Sequence, residues 1–244
     1  MTYTIAIAGK GGVGKTTIAA LLIQCLLKID RPILAVDADP NSNLNVALGL
    51  EYQETIADIR EEVKRSTPES FSKGDFFNLR LQEAIVEGDA VDLLVMGRPE
   101  GPGCYCAINN ILREYLEKVA QNYKFVVIDN EAGMEHLSRR TAGSIDLLLL
   151  ASDPTIVGIR SVINAFRTAK DAGLKIKKFG VLINKSKNPL NDDKIKLIKD
   201  AGLQIDGFIA FQEEIEKESE KGGSLLRLNK NNGLEDIFNK LIAS

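Results

Sequence analysis

A glycine-rich run near the N-terminus carries the clearest chemical pattern in the sequence. It reads Gly9-Lys10-Gly11-Gly12-Val13-Gly14-Lys15-Thr16-Thr17, after an apolar segment and before an apolar helical pattern. The spacing G-x-x-x-x-G-K-T is typical of a phosphate-binding loop. Glycines let backbone N–H groups approach phosphate oxygens, and the following helix adds donors and a favourable dipole. In such a loop Lys15 neutralises the β- and γ-phosphates and the hydroxyl of Thr16 binds Mg²⁺. The whole run, Gly9 to Thr17, is therefore predicted to bind a nucleotide.

Aspartates follow two apolar segments that are predicted to be strands. Asp37 and Asp39 follow the segment that begins at Ile33, and Asp129 ends the segment that begins at Phe125. Carboxylates at the carboxyl ends of parallel strands face the ligand crevice. Four apolar residues followed by an aspartate form the Walker-B arrangement, in which Asp129 holds Mg²⁺ through water. A helix cap is the other role that one such aspartate could have.

Two cysteines one residue apart indicate a metal site. The run is Gly101-Pro102-Gly103-Cys104-Tyr105-Cys106, just before a predicted helix. Cys104 and Cys106 cannot easily form an unstrained disulfide with each other. Thiolates near a helix N-terminus have a lowered pKa, and two of them make half of a tetrahedral four-sulfur site. A two-fold dimer would complete the site around Ni²⁺ or Zn²⁺, unless the pair is incidental. Cys25 lies in an apolar helix and is predicted to be core.

Strands and helices alternate along the chain, which predicts a mostly parallel α/β sheet of about seven or eight strands with helices on both faces. The predicted strands are Tyr3–Ala8, Ile33–Asp37, Val91–Met96, Phe125–Asp129, Leu147–Ala151, Phe179–Ile183 and Ile205–Phe211. The predicted helices are Thr16–Lys28, Asn43–Leu48, Ile108–Gln121, Ile156–Ala172, Asp193–Ala201 and Leu234–Ile242. Residues 52–90 are irregular and are predicted to hold short helices and loops. Without a linker or repeat, residues 1–244 are expected to form one domain.

Composition narrows the classes of function. The chain has 244 residues, 44% hydrophobic and 27% charged, with a net charge of −3. This acidic balance argues against a broad nucleic-acid surface. No apolar stretch reaches the length of about 18 residues that suggests a membrane span. Three cysteines, an odd number, and the lack of a recognisable export signal favour a reducing compartment, so the cytoplasm is expected.

The loop Gly-Lys-Gly-Gly-Val-Gly-Lys-Thr-Thr resembles the deviant P-loop of the MinD/ParA/nitrogenase-iron-protein class. The resemblance implies a P-loop NTPase that binds ATP and Mg²⁺ and works as a homodimer. It implies that Lys10 reaches the nucleotide of the partner subunit and stabilises charge on the transferring phosphoryl group. It also implies that Asp39, in the first switch region, orients the attacking water and contributes to the Mg²⁺ site, while Asp37 has a structural role.

The same resemblance assigns roles to later residues. The run after Asp129 is similar to the second switch region, where the amide of Gly133 would sense the γ-phosphate. Asn184 and Lys185, at a strand end, resemble the base-recognition element of the class, where an amide can pair with the adenine edge. Closing a turn is the other role for this asparagine. His136 is the only histidine, and a structural role competes with a contact to the metal site or to a client protein.

The Cys-x-Cys run together with residues 129–140, Asp-Asn-Glu-Ala-Gly-Met-Glu-His-Leu-Ser-Arg-Arg, resembles the CooC-type maturation ATPases over nearly the whole chain. Members of this group assist nickel insertion into carbon monoxide dehydrogenase or the related acetyl-CoA synthase. The resemblance implies a nickel-enzyme client and a metal shared between two subunits.

Three alternatives stay open. An iron–sulfur redox protein resembling the nitrogenase reductase could also bind its cluster with four thiolates, although that family takes its cysteines from two separate loops. A spatial regulator resembling MinD would use the apolar stripe of the last helix on a membrane, but the opposite face carries Glu235, Asp236 and Asn239 rather than basic residues. A DNA-partitioning ATPase is the third, and the acidic balance disfavours it.

Overall fold

The computed structural model describes residues 2–98, 114–115, 118–131, 144–228 and 234–243. Within them, seven strands form one sheet in which every pair of neighbours is parallel. The strands are β1 (Tyr3–Gly9), β2 (Ile33–Ala38), β3 (Asp92–Val95), β4 (Phe125–Asn130), β5 (Ile145–Ser152), β6 (Ile176–Ser186) and β7 (Gly207–Ala210). Their order across the sheet is β3-β2-β4-β1-β5-β6-β7. The predicted fold class is confirmed.

Helices cover both faces of the sheet. They are α1 (Lys15–Leu26), α2 (Leu44–Leu48), α3 (Ile56–Arg65), α4 (Lys73–Glu83), α5 (Ile156–Asp171), α6 (Asp192–Asp200), α7 (Glu213–Glu220) and α8 (Leu234–Ala243). Apolar side chains of α1, α2 and α8 form the core on one face. Those of α3, α4, α5 and α6 form the core on the other. Because both faces are covered, the strands are almost continuously apolar, and all eight residues of β5 are buried.

Several predicted boundaries need adjustment. Residues 52–90 contain two helices of 10 and 11 residues, α3 and α4, each started by a capping side chain, Thr55 and Ser72. The acidic helix α7 was not expected, because its sequence EEIEKESE has no apolar stripe and none of its residues is buried. Strand β6 begins at Ile176, earlier than predicted. Of the helix predicted at Ile108–Gln121, residues 114, 115, 118 and 119 are described and helical.

The last helix packs against the sheet. Leu234, Phe238 and Leu241 of α8 are each at most 4% exposed, and a side chain on Gly207 of β7 would collide with Ile237. The apolar stripe of the last helix therefore packs on the sheet. Among the described residues, no helix is long and apolar enough to cross a membrane.

Candidate functional site

The glycine-rich loop lies at the carboxyl edge of the sheet, between β1 and α1. Gly12 and Gly14 have φ angles of 81° and 87°, a left-handed backbone that glycine adopts without steric cost. Gly9 lies so close to β5 that a Cβ atom there would collide with the carbonyl oxygen of Ala151. Helix α1 starts at Lys15 with Gly14 as its N-cap, and no side chain caps it. Its first N–H groups therefore face the loop, ready for an anion.

Lys15 is held inside the site rather than in solvent. It is only 8% exposed, and its Nζ lies 3.4 Å from the carbonyl oxygen of Lys10. Burial lowers the pKa of Lys15, while the nearby carboxylates of Asp129, Asp39 and Glu131 act in the opposite direction. A partly desolvated ammonium close to carboxylates is well suited to a polyanionic ligand. Lys10 itself is exposed at the tip of the loop.

Thr16 and Asp129 meet across the site. The hydroxyl of Thr16 donates a hydrogen bond of 2.6 Å to Oδ2 of Asp129. Asp129 is 1% exposed, and burial raises its pKa to about 7 against the opposing effects of Thr16 and Lys15. Its second oxygen, Oδ1, is buried without a hydrogen-bond partner. An unpaired carboxylate oxygen beside a threonine hydroxyl is a donor set that fits Mg²⁺, which prefers hard oxygen ligands.

Asp37 organises the loop that carries Asp39. It is fully buried, and burial raises its pKa to about 6. Its Oδ1 accepts from the backbone N–H of Asp39 at 3.1 Å, and its Oδ2 accepts from the N–H of Leu44 at 2.8 Å. The structural role expected for Asp37 thus has a definite form, since this one carboxylate holds both ends of the loop. The carboxylate of Asp39 accepts from the backbone and side chain of Asn41 at 2.9 and 3.0 Å.

Asn184 and Lys185 contact the glycine-rich loop directly. The side-chain Nδ2 of Asn184 donates to the carbonyl oxygen of Val13 at 2.7 Å, and its Oδ1 accepts from the N–H of Lys185 at 2.9 Å. The Nζ of Lys185 donates to the carbonyl oxygen of Gly12 at 3.2 Å. The pair thus contacts the glycine-rich loop through the loop's backbone carbonyl groups. Base recognition by Asn184 stays a prediction.

A cavity lies beside Asn184 and Lys185. It is lined by residues of α1, β6, β7, α7 and the loop between β7 and α7, among them Thr17, Asn184, Ile209, Phe211, Ile215 and Ser219. The Nζ of Lys187 lies over the Phe211 ring, 4.7 Å from the ring centroid. A largely apolar recess next to a phosphate-binding loop can take the base of a nucleotide. Apart from Asn184 and Lys185, its lining residues carry no sequence signal, because α7 is polar and they belong to separate elements.

Four predicted residues lie outside the described part of the chain: Cys104, Cys106, Gly133 and His136. Their roles stay predictions. Within the described ranges, no group of three or more His, Cys, Asp or Glu side chains could hold a metal ion.

The fold and the loop define a P-loop nucleotide-binding protein, and solved structures share the architecture. A ParA family ATPase from Chlorobium tepidum covers 99% of this chain and 98% of its own, with a TM-score of 0.72 and 21% identity. The septum site-determining protein MinD from Pyrococcus horikoshii, complexed with Mg-ADP, covers 98% and 94%, with a TM-score of 0.71 and 22% identity. At these identities the likeness shows the fold.

Sequence comparison identifies the family. Residues 4–225 match the CobQ/CobB/MinD/ParA nucleotide binding domain, and the chain belongs to that family. An uncharacterized ATP-binding protein of Methanocaldococcus jannaschii is 41% identical, and the match covers 98% of each chain. The carbon monoxide dehydrogenase accessory protein CooC of Rhodospirillum rubrum is 31% identical over 92% of this chain and 90% of its own.

Proposed function

We propose that this chain is a Mg²⁺-dependent ATPase. The observation that carries the proposal is the hydrogen bond of 2.6 Å between Thr16 and the buried Asp129, next to the buried Lys15 at the start of α1. These groups offer what a nucleoside triphosphate needs: an ammonium for the β- and γ-phosphates, N–H donors from the loop, and oxygen ligands for Mg²⁺. ATP is the proposed nucleotide because relatives of 41% and 36% identity carry the name ATP-binding protein.

Each residue of the site has a separate role in this proposal. Lys15 neutralises the phosphates, and Asp39 orients the attacking water. Thr16 would bind Mg²⁺ directly. Asp129 would hold the same ion through a water molecule, and Asp39 would contribute to the same Mg²⁺ site. The bound cation would neutralise charge that develops on the phosphoryl oxygens. Asp37 keeps the Asp39 loop in place through its two backbone hydrogen bonds.

A homodimer is part of the proposal. Lys10 is exposed at the loop tip, free to face the nucleotide of a second subunit and stabilise charge there in trans. Lys10→Ala and Asp39→Ala proteins should each lose turnover, measured as phosphate release. Mixing them should restore some activity, because one site of the heterodimer then has both an intact Asp39 and an opposing Lys10. Absence of rescue, with heterodimers demonstrated, would refute the crossing lysine.

We further propose that the ATPase serves the maturation of a nickel enzyme, carbon monoxide dehydrogenase or acetyl-CoA synthase. Two features support this: the CooC relative of 31% identity over nearly the whole chain, and the Cys104-x-Cys106 run. In this proposal a dimer holds one Ni²⁺ or Zn²⁺ through four thiolates, and ATP-driven dimerisation changes how tightly the metal is held.

Metal analysis of untagged protein tests this second step. One divalent metal per dimer, lost in Cys104→Ala/Cys106→Ala and retained in the control Cys25→Ala, is expected. Iron with sulfide would instead favour the redox alternative, and absence of metal a regulator. The MinD-like alternative is disfavoured by α8, whose apolar residues Leu234, Phe238 and Leu241 are already buried against the sheet.

A further inference from the structure

The end of β6 is attached to the glycine-rich loop at two consecutive carbonyl groups. Asn184 Nδ2 donates to the carbonyl oxygen of Val13 and Lys185 Nζ donates to that of Gly12, at 2.7 and 3.2 Å. Asn184 is 5% exposed, so its hydrogen bond to Val13 is shielded from water. The two contacts join segments that are far apart in sequence.

The orientation of the Asn184 amide follows from its neighbours. If the amide were flipped, its oxygen would face the carbonyl oxygen of Val13 and its NH₂ group would face the N–H of Lys185. Both contacts would be repulsive, since each would pair like with like. The observed orientation satisfies both ends of the side chain with protein groups, at 2.7 and 2.9 Å.

Two further features couple Asn184 and Lys185 to the glycine-rich loop. Lys185 has a φ of 55°, a left-handed conformation that is uncommon for a lysine and is maintained here at a functional site. A Cβ atom on Gly14 would lie 2.6 Å from Asn184 Nδ2. The amide thus packs directly on the glycine that precedes α1, with no room for a side chain between them.

We propose that Asn184 and Lys185 are positioning residues that hold the glycine-rich loop in its phosphate-binding shape. Turning the carbonyl groups of Gly12 and Val13 toward β6 leaves backbone N–H groups of the loop free to surround phosphate, as in other anion-binding backbone concavities. This role rests on the proposed nucleotide function and deepens it. It differs from base recognition because it acts on phosphates whether or not a base is attached.

Binding of Mg²⁺-ATP, Mg²⁺-GTP and Mg²⁺-inorganic triphosphate, measured by calorimetry, separates the two roles. A positioning role predicts that Asn184→Ala weakens all three about equally, by roughly tenfold, because one buried hydrogen bond is lost. A base-reading role predicts that inorganic triphosphate binding is unchanged and that the ratio of ATP to GTP affinity shifts; this result would overturn the proposal. So would a wild-type protein that binds ATP but not inorganic triphosphate. A wild-type protein that binds no nucleotide would instead refute the proposed function.

Variants of Lys185 provide the matched comparison. Lys185→Gly removes the ammonium and keeps the left-handed backbone without strain, and it should weaken binding of inorganic triphosphate several-fold. Lys185→Arg keeps a donor and should recover most of the affinity. Lys199→Gln removes an exposed charge from α6 and should bind as the wild type does, which controls for net charge. Equal affinities in Lys185→Gly and Lys185→Arg would overturn the role of this lysine, and thermal unfolding of each variant verifies that it is folded.

Discussion

The proposed phosphate end and the proposed base end of the candidate site are built in different ways. The phosphate end comes mainly from one continuous run, Gly9 to Thr17, with Asp129 added from β4. The base end is a recess whose lining comes from three separate stretches of chain: α1, the end of β6, and the segment from Ile209 in β7 to Ser219 in α7. One end is a local motif, and the other exists only where distant elements meet.

The difference follows from what each part of a nucleotide requires. Phosphate oxygens need several N–H donors within a few ångströms, which a short glycine loop and a helix start supply together. A base needs a flat apolar recess, which many combinations of side chains can form. Hence the phosphate end has a recognisable spacing and the base end has none. Perturbing each end separately tests the distinction.

The largest effect is expected at Lys15. Lys15→Ala removes the one ammonium buried within the described part of the loop, so affinity for both Mg²⁺-ATP and inorganic triphosphate should fall at least about a hundredfold. Calorimetric titration measures both, with Lys28→Ala, an exposed residue that follows the end of α1, as the control. Retention of triphosphate binding by Lys15→Ala would show that the phosphate end has been misplaced.

Removal of the Thr16 hydroxyl should be the next largest effect. Thr16→Val keeps the shape of the side chain but deprives Asp129 of its hydrogen bond of 2.6 Å and Mg²⁺ of a ligand. The gain in ATP affinity on adding Mg²⁺ should drop by about tenfold, roughly 1.4 kcal/mol. Thr16→Ser should keep most of that gain. If the valine and serine variants respond equally to Mg²⁺, the hydroxyl is not a ligand.

The stability of the folded protein should depend on pH because of Asp129 at the phosphate end. Burial raises the pKa of Asp129 from 3.8 to about 7, so the folded protein holds a proton that the unfolded chain releases. Without Mg²⁺, stability should therefore fall as pH rises between these values and level off above about 7. The slope is at most about 1.4 kcal/mol per pH unit for one such group.

Urea unfolding across this pH window measures that slope. Asp129→Asn should make the curve flatter, leaving the smaller contribution of Asp37, whose pKa is raised to about 6 and which acts in the same direction. Mg²⁺ binding has the opposite sign, because the cation prefers the ionised carboxylate, so Mg²⁺ affinity should increase with pH. An unchanged slope in Asp129→Asn would contradict the assignment.

The smallest effect is expected at the base end. Phe211→Ala removes an aromatic surface from the recess and should weaken ATP binding by about 1 kcal/mol, roughly fivefold. Inorganic triphosphate binding should not change. Phe208 is 46% exposed and is not part of the recess lining, so Phe208→Ala is the matched control. A loss of triphosphate affinity in Phe211→Ala would mean that the two ends are not separable.

Continuous apolar strands made most of the fold predictable. Each of the seven predicted strands overlaps an observed one, because strands buried on both faces must be almost wholly apolar. Helix α7 escaped prediction because all of its residues remain at least partly exposed, so no periodic pattern was required. The predicted strand begins at Phe179 rather than Ile176, because two lysines between these residues interrupt the apolar run.

The amino-acid sequence was sufficient for features that depend on neighbours along the chain. The glycine loop, the buried strands and the aspartates at strand ends belong here, since each rests on local backbone freedom or local polarity. Three-dimensional packing was needed for features that depend on distance in space. The contact of Asn184 with Val13, 171 residues away in sequence, and the recess beside it arise only when β6, β7 and α7 are placed next to the loop. A side chain's type shows what it can bond, but its partner depends on which element the fold places beside it.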